Sequence, residues 1–106
     1  MIELNELAKE CREIAKKREE HGLKSDTLNC LKHCAGEVVE ANEAYNDWTF
    51  LDTPKEDMKR AYAEELADII ICTLIAAAND NIDIEMAISE KVVKNSLRAE
   101  GVGDKL

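Results

Sequence analysis

Apolar residues recur every three or four positions along almost the whole chain, which is the spacing of one face of an α-helix. Leu4, Leu7, Cys11 and Ile14 form the first such stripe and predict an amphipathic helix ending near Gly22. A second stripe follows in Leu28, Leu31, Ala35, Val38 and Val39, with Ser25 or Asp26 placed to cap its start. Thr49 to Asp52 breaks the pattern and reads as the one real loop. Thr53-Pro54-Lys55-Glu56 then reads as a capping box with proline at the first helical position, opening a third helix that runs to about Asn79. The second half of that helix, Ile69 to Ala78, is apolar on all sides, the signature of burial in a bundle. Asn79-Asp80-Asn81 predicts a turn, Asp83 a fourth cap, and Gly101 and Gly103 the end of the last helix. The pattern therefore predicts an all-α fold, a four-helix bundle.

Length and composition narrow this further. The 106 residues suit a single domain over 1–106. One Trp, one Phe and two Tyr mean that the core is aliphatic. A domain this small buries a modest share of its surface, so the apolar circumference of the third helix predicts completion by oligomerisation, as a homodimer or homotetramer.

The formal charge of −9 argues against a nucleic-acid module, whose affinity rests on basic residues at the phosphates. Lys16-Lys17-Arg18 is the only basic cluster and is followed at once by Glu19-Glu20, so it reads as solvated helix surface. An acidic protein still binds a polyphosphate when divalent metal stands between the two sets of anions. The N-terminal stretch is charged throughout, so no signal peptide is expected, and the nearly uncharged run from Ile69 to Asn79 is too short to cross a bilayer. Cys11, Cys30, Cys34 and Cys72 sit in helical patterns, which predicts reduced thiols and a cytoplasmic protein.

Two acidic pairs carry the candidate chemistry: Glu37 with Glu40 on helix two, and Glu65 with Asp68 on helix three. Residues three apart on a helix are surface neighbours. Glu37 shares its face with Cys30, Ala41, Ala44 and Trp48, and Glu65 shares its face with Ile69, Cys72 and Ala76. Carboxylates on apolar faces are costly unless paired or metal-bound. No basic partner is obvious on these helices, so the pairs imply a hard cation, Mg²⁺ or alternatively Mn²⁺. The plain alternative is that acids at this spacing are common on any exposed helix. On helix four, Lys91, Asn95 and Arg98 share one face beside Ile84, Ile88 and Val92. They are placed to reach phosphate oxygens, or else form an ordinary amphipathic boundary.

With these motifs in order, the chain resembles the MazG-like, all-α nucleoside triphosphate pyrophosphohydrolases. The resemblance rests on Gly36-Glu37-Val38-Val39-Glu40-Ala41, then Glu64-Glu65-Leu66-Ala67-Asp68-Ile69-Ile70, then Ile82-Asp83-Ile84 leading into Glu90-Lys91, Asn95 and Arg98. It covers about residues 25 to 100. It implies packed, oligomeric helices that hydrolyse a (d)NTP to (d)NMP and pyrophosphate. Glu37, Glu40, Glu65 and Asp68 match the metal ligands and catalytic acids, and Lys91, Asn95 and Arg98 match the phosphate contacts. Relatives in the dCTP pyrophosphatase group carry a base-lining tryptophan close to the position of Trp48. Two departures stand out: Val39 occupies a position where many members have glycine, and Cys72 one where the dCTP-specific relatives have tyrosine.

Rival readings are weaker on the residues. A di-iron bundle wants Glu-x-x-His on two helices, and no glutamate here has a histidine three residues later. Cys30, His33, Cys34 and Glu37 lie on one side of helix two, but two turns of one helix make poor tetrahedral geometry for zinc. His33 then reads as a bundle-edge residue able to touch substrate. A non-catalytic helical metal- or partner-binding protein is the remaining alternative, although a pure interaction protein has no need of inward acids.

Overall fold

The computed structural model describes residues 3–52 and 55–101. It is all-helical among these residues, with α1 over Leu4–Arg18, α2 over Thr27–Phe50, α3 over Lys55–Asn79 and α4 over Ile84–Ala99. A 3₁₀ turn, Glu19–His21, extends α1. None of the described helices is long and apolar enough to cross a membrane.

Local signals set most of these boundaries. The α1 segment closes at Gly22, whose φ of 96° lies in the left-handed region where a side chain is strained. There Leu23 N donates to Arg18 O and Gly22 N to Glu19 O, the paired bonds that satisfy the last carbonyls of a helix. Asn81, at φ 55°, ends α3 in the same way, with Ile82 N donating to Ala77 O. Asparagine tolerates this conformation better than most residues. Asp26 caps α2 by accepting from Asn29 N, and Asp83 caps α4 by accepting from Met86 N. Both carboxyls are held below the usual range, first by hydrogen bonds from the Asn29 and Asn5 side chains respectively.

One boundary differs from the sequence expectation. Thr49 and Phe50 belong to α2 rather than to a loop. The Thr49 hydroxyl donates to Tyr45 O at 2.8 Å, so the threonine that looked like a breaker is accommodated inside the last turn. Lys55 Nζ, at the start of α3, donates to the carbonyls of Trp48 and Leu51, at 2.6 and 2.8 Å, and covers the end of α2. The expected capping box involves Thr53 and Pro54, which lie outside the described residues, as does Gly103.

α2 and α3 form the main helix pair, and α1 lies against α3. The core where they meet is built of small side chains, Cys11, Ala15, Cys30, Ile75 and Ala76, with Leu7 and Leu23 packed against it. Asn79 ties three segments together, accepting from Arg12 Nε at 2.9 Å and donating to Ser25 O at 2.7 Å.

The fourth helix is attached differently. α4 packs chiefly on α1, through Asn5, whose Oδ1 accepts from Ile84 N at 3.1 Å and whose Nδ2 donates to Asp83 at 2.9 Å. It has no buried residue, and Met86, Val92 and Val93 are more than half exposed. The radius of gyration, 16.5 Å, exceeds the roughly 13 Å of a compact domain of this length. The four helices therefore do not close around one another within a single chain. The apolar run of α3 is covered at Leu74 to Ala77, whereas Ile70 and Ile71 stay exposed, contrary to the expectation of burial on all sides.

Candidate metal centre

α2 and α3 run side by side, and this pairing brings the two acidic motifs together. Carboxylate oxygens of Glu37, Glu65 and Asp68 all lie within 4.8 Å of one another. Glu37 and Glu65 are partly buried, and each has an Oε2 shut off from solvent without a hydrogen-bond partner. Asp68 and Glu40 are exposed. The expectation of four inward carboxylates is thus met by two, because three residues along a helix turn the side chain by about 300°, enough to carry it to the rim of the face.

Crowding of like charge has a measurable consequence. Burial first, and then the close approach of the Glu65, Glu40 and Asp68 carboxyls, push the Glu37 carboxyl from the ordinary 4.5 up to about 7. Among the described residues, the ion pairs are all surface i,i+3 pairs, and none reaches these acids. Two buried carboxylate oxygens with no donor, beside a third carboxylate, form a donor set suited to a hard divalent cation. Glu40, one turn beyond Glu37 and interacting with it, stands at the edge of this set.

The remaining candidates are dispersed. His33, exposed on α2, lines a cavity of about 340 Å³ that also includes Glu37 and Asp68. Trp48 is half-buried at the far end of α2, stacked on Tyr62 with ring centroids 5.8 Å apart and edge-on to Tyr45 at 6.0 Å. Lys91 and Asn95 are exposed on α4, and Arg98 donates to Asn95 at 3.4 Å. Because α4 leans on α1, a single chain does not pack these three against the α2–α3 pair that carries the acids.

Two of the thiols, Cys30 and Cys72, belong to the walls of the cavity beside the acids. Cys30 donates to Ser25 O at 3.4 Å, and Cys72 is pushed up to about 11, chiefly by burial, with the neighbouring Cys30 and Cys34 adding to the effect. All four cysteines are free. Sequence reasoning treated Ser25 only as a possible cap. It is instead the most buried polar residue among the described residues, 2% exposed, with its Oγ unpartnered there. The signal available was its place just before the true cap, Asp26, where the chain turns in over the core.

No family model, curated protein or solved structure matches this chain.

Proposed function

We propose that this chain is a magnesium-dependent nucleoside triphosphate pyrophosphohydrolase, converting a (d)NTP and water to the (d)NMP and pyrophosphate. The observation that carries the reading is the gathering of Glu37, Glu65 and Asp68 oxygens within 4.8 Å, two of these residues holding a buried and unpartnered oxygen. An acidic cluster of this kind repels a polyphosphate by itself, and becomes a polyphosphate site once a divalent cation stands between. The MazG-like resemblance supplies the choice of nucleotide and of the bond cleaved.

Glu37, Glu65 and Asp68 would hold the metal, with Glu40 completing the set from the rim. Magnesium, when bound there, neutralises phosphate charge and acidifies a water. The chain's own residues orient the substrate and keep bulk water from the inner oxygens, and one carboxylate accepts the proton released by the attacking water. Positioning and charge neutralisation then supply most of the rate, as in other phosphoryl chemistry. Lys91, Asn95 and Arg98 are assigned to phosphate oxygens by the resemblance. Their place on a helix with an uncovered apolar stripe, Met86, Val92 and Val93, favours a homodimer or homotetramer as the working form. Free thiols throughout fit a cytoplasmic setting.

Product analysis tests the proposal directly. Incubation with each common NTP and dNTP and Mg²⁺ or Mn²⁺ is expected to yield the monophosphate and pyrophosphate, and no product when the metal is chelated. Orthophosphate released from the γ-position as the first product contradicts the reaction, and absence of any turnover in a metal-loaded oligomer leaves the non-catalytic metal-binding reading.

A further inference from the structure

A second, larger cavity lies between α1 and the turn that joins α3 to α4. It measures about 520 Å³ and shares no lining residue with the one beside the acids. That volume falls within the range of small-molecule sites, roughly 300–1,000 Å³. Ala8, Ala78 and Ile82 supply its apolar wall. Its charged groups are Lys9, Arg12 and Glu13 from α1 and Asp83 from the turn.

These charges balance, yet they do not pair across the cavity. Among the described residues every ion pair joins residues three apart, and none includes Arg12, Glu13 or Asp83. Arg12 is half-buried, and its one hydrogen bond there runs from Nε to Asn79 Oδ1 at 2.9 Å. Asn79 is itself fixed by donating to Ser25 O at 2.7 Å. The guanidinium is thus held on its Nε side, with two Nη groups left over, a fork that suits a carboxylate or phosphate. Lys9 precedes it by three residues on the same helix, with Cβ atoms about 5–6 Å apart. Its only tie is to Glu6, at 3.5 Å, in an exposed pair of little strength.

The carboxylates differ in how firmly they are placed. Both are exposed, and Glu13 makes no hydrogen bond among the described residues. Asp83 Oδ1 accepts from Asn5 Nδ2 at 2.9 Å and from Met86 N at 3.0 Å, which fixes the group and leaves Oδ2 unbonded there. Asn5 stands two turns before Arg12, so the Asp83 carboxylate lies about 10 Å along the axis of α1 from the arginine. A bare anion at Arg12 would meet the wall's acids, and a bare cation at Asp83 would meet its bases. A molecule carrying both charges, one at each end, uses all of the fixed groups.

We infer that the cavity between α1 and the α3–α4 turn binds a small zwitterion, its carboxylate or phosphate on Arg12 and Lys9, its ammonium group on Asp83, and an aliphatic body between them against Ala8, Ala78 and Ile82. The site is separate from the acidic centre and does not depend on the hydrolase reading.

Amide NMR titration of the full chain tests this, in chelator so that no metal draws phosphate to the acids. The probes are straight-chain ω-amino carboxylates of increasing length and the matching ω-aminoalkyl phosphates. Alkyl carboxylates, alkyl phosphates and alkylamines serve as single-ended controls. Saturable shifts at Asn5, Arg12, Asn79 and Asn81 are expected for one chain length, about tenfold tighter than either control, and the series that binds identifies the oxyanion. Asp83→Asn keeps the α4 cap, since asparagine caps as well as aspartate. It should weaken the zwitterion about tenfold without weakening the oxyanion control. Arg12→Lys and Lys9→Gln should weaken both. Absence of saturable shifts with every probe overturns the inference, as do shifts confined to Lys91, Asn95 and Arg98. Equal affinity for zwitterion and single-ended control, or undiminished binding by Asp83→Asn, overturns it too.

Discussion

Replacing Glu37 by glutamine removes the charge at the centre of the acidic cluster, and its effect on stability has a definite sign. The Glu37 carboxyl titrates at about 7 in the folded protein against an ordinary 4.5, so the folded state binds the proton more tightly. Stability from this group is fully present below the ordinary value and is lost as pH rises through about 7. The metal-free protein should therefore gain stability between pH 8 and pH 5. Each pH unit of displacement is worth about 1.4 kcal/mol, and solvent screening at this half-open site leaves about 1–2 kcal/mol. For a domain of this size that is about 5–10 °C in Tm. The assay is thermal unfolding of wild type and Glu37→Gln at pH 5 and pH 8 in chelator, each repeated with Mg²⁺. Subtracting the variant removes the general relief of self-repulsion in an acidic chain. The Asp26 and Asp83 carboxyls, both lowered, lose their contributions only at more acidic pH. The variant is expected to be the more stable protein at pH 8 without metal, and Mg²⁺ should stabilise wild type there but scarcely affect the variant. An identical pH dependence in the two proteins would refute the picture of a crowded, metal-seeking carboxylate.

Glu65→Gln, Asp68→Asn and Glu40→Gln should each abolish measurable pyrophosphate release with the helical circular dichroism intact, and near-normal rates in any two of them would displace the site. Magnesium titration of the same variants should show Glu40→Gln, the rim residue, losing less affinity than Glu65→Gln, and the reverse order would count against the inner position of Glu65. Asn5→Ala removes the acceptor for Ile84 N and Glu85 N, at 3.1 and 3.4 Å, and should cost about 1–2 kcal/mol. Hydrogen exchange should then accelerate along α4 before α2 or α3, and a uniform change would show that α4 is held by something else. Alkylation of Cys72 by iodoacetamide should be slow at pH 8 and quicken toward its value of about 11, and rapid labelling at pH 8 would contradict the raised thiol.

The helices themselves were legible in the sequence, because each is specified by interactions within a few residues. The stripe of Leu4, Leu7 and Cys11, the caps at Asp26 and Asp83, and the turn at Asn81 needed no knowledge of the rest of the chain. Thr49 was misplaced for a similarly local reason, since a hydroxyl that often breaks a helix also satisfies itself on the carbonyl four residues back. The acidic motifs were legible as residues and spacing. Periodicity gives the angle of a side chain about its own helix, but not which neighbour covers that angle. Only the docking of α3 on α2 decided that Glu37 and Glu65 have buried oxygens while Glu40 and Asp68 stay at the rim. The same holds for Ser25, polar by type yet buried where Asn79 of α3 and Cys30 of α2 bond its carbonyl. It holds most of all for α4, whose pattern predicted a bundle member. Its direction was set by the Asn5 contacts to its first turn, across roughly 80 residues of chain, and no local rule of helix formation contains that information.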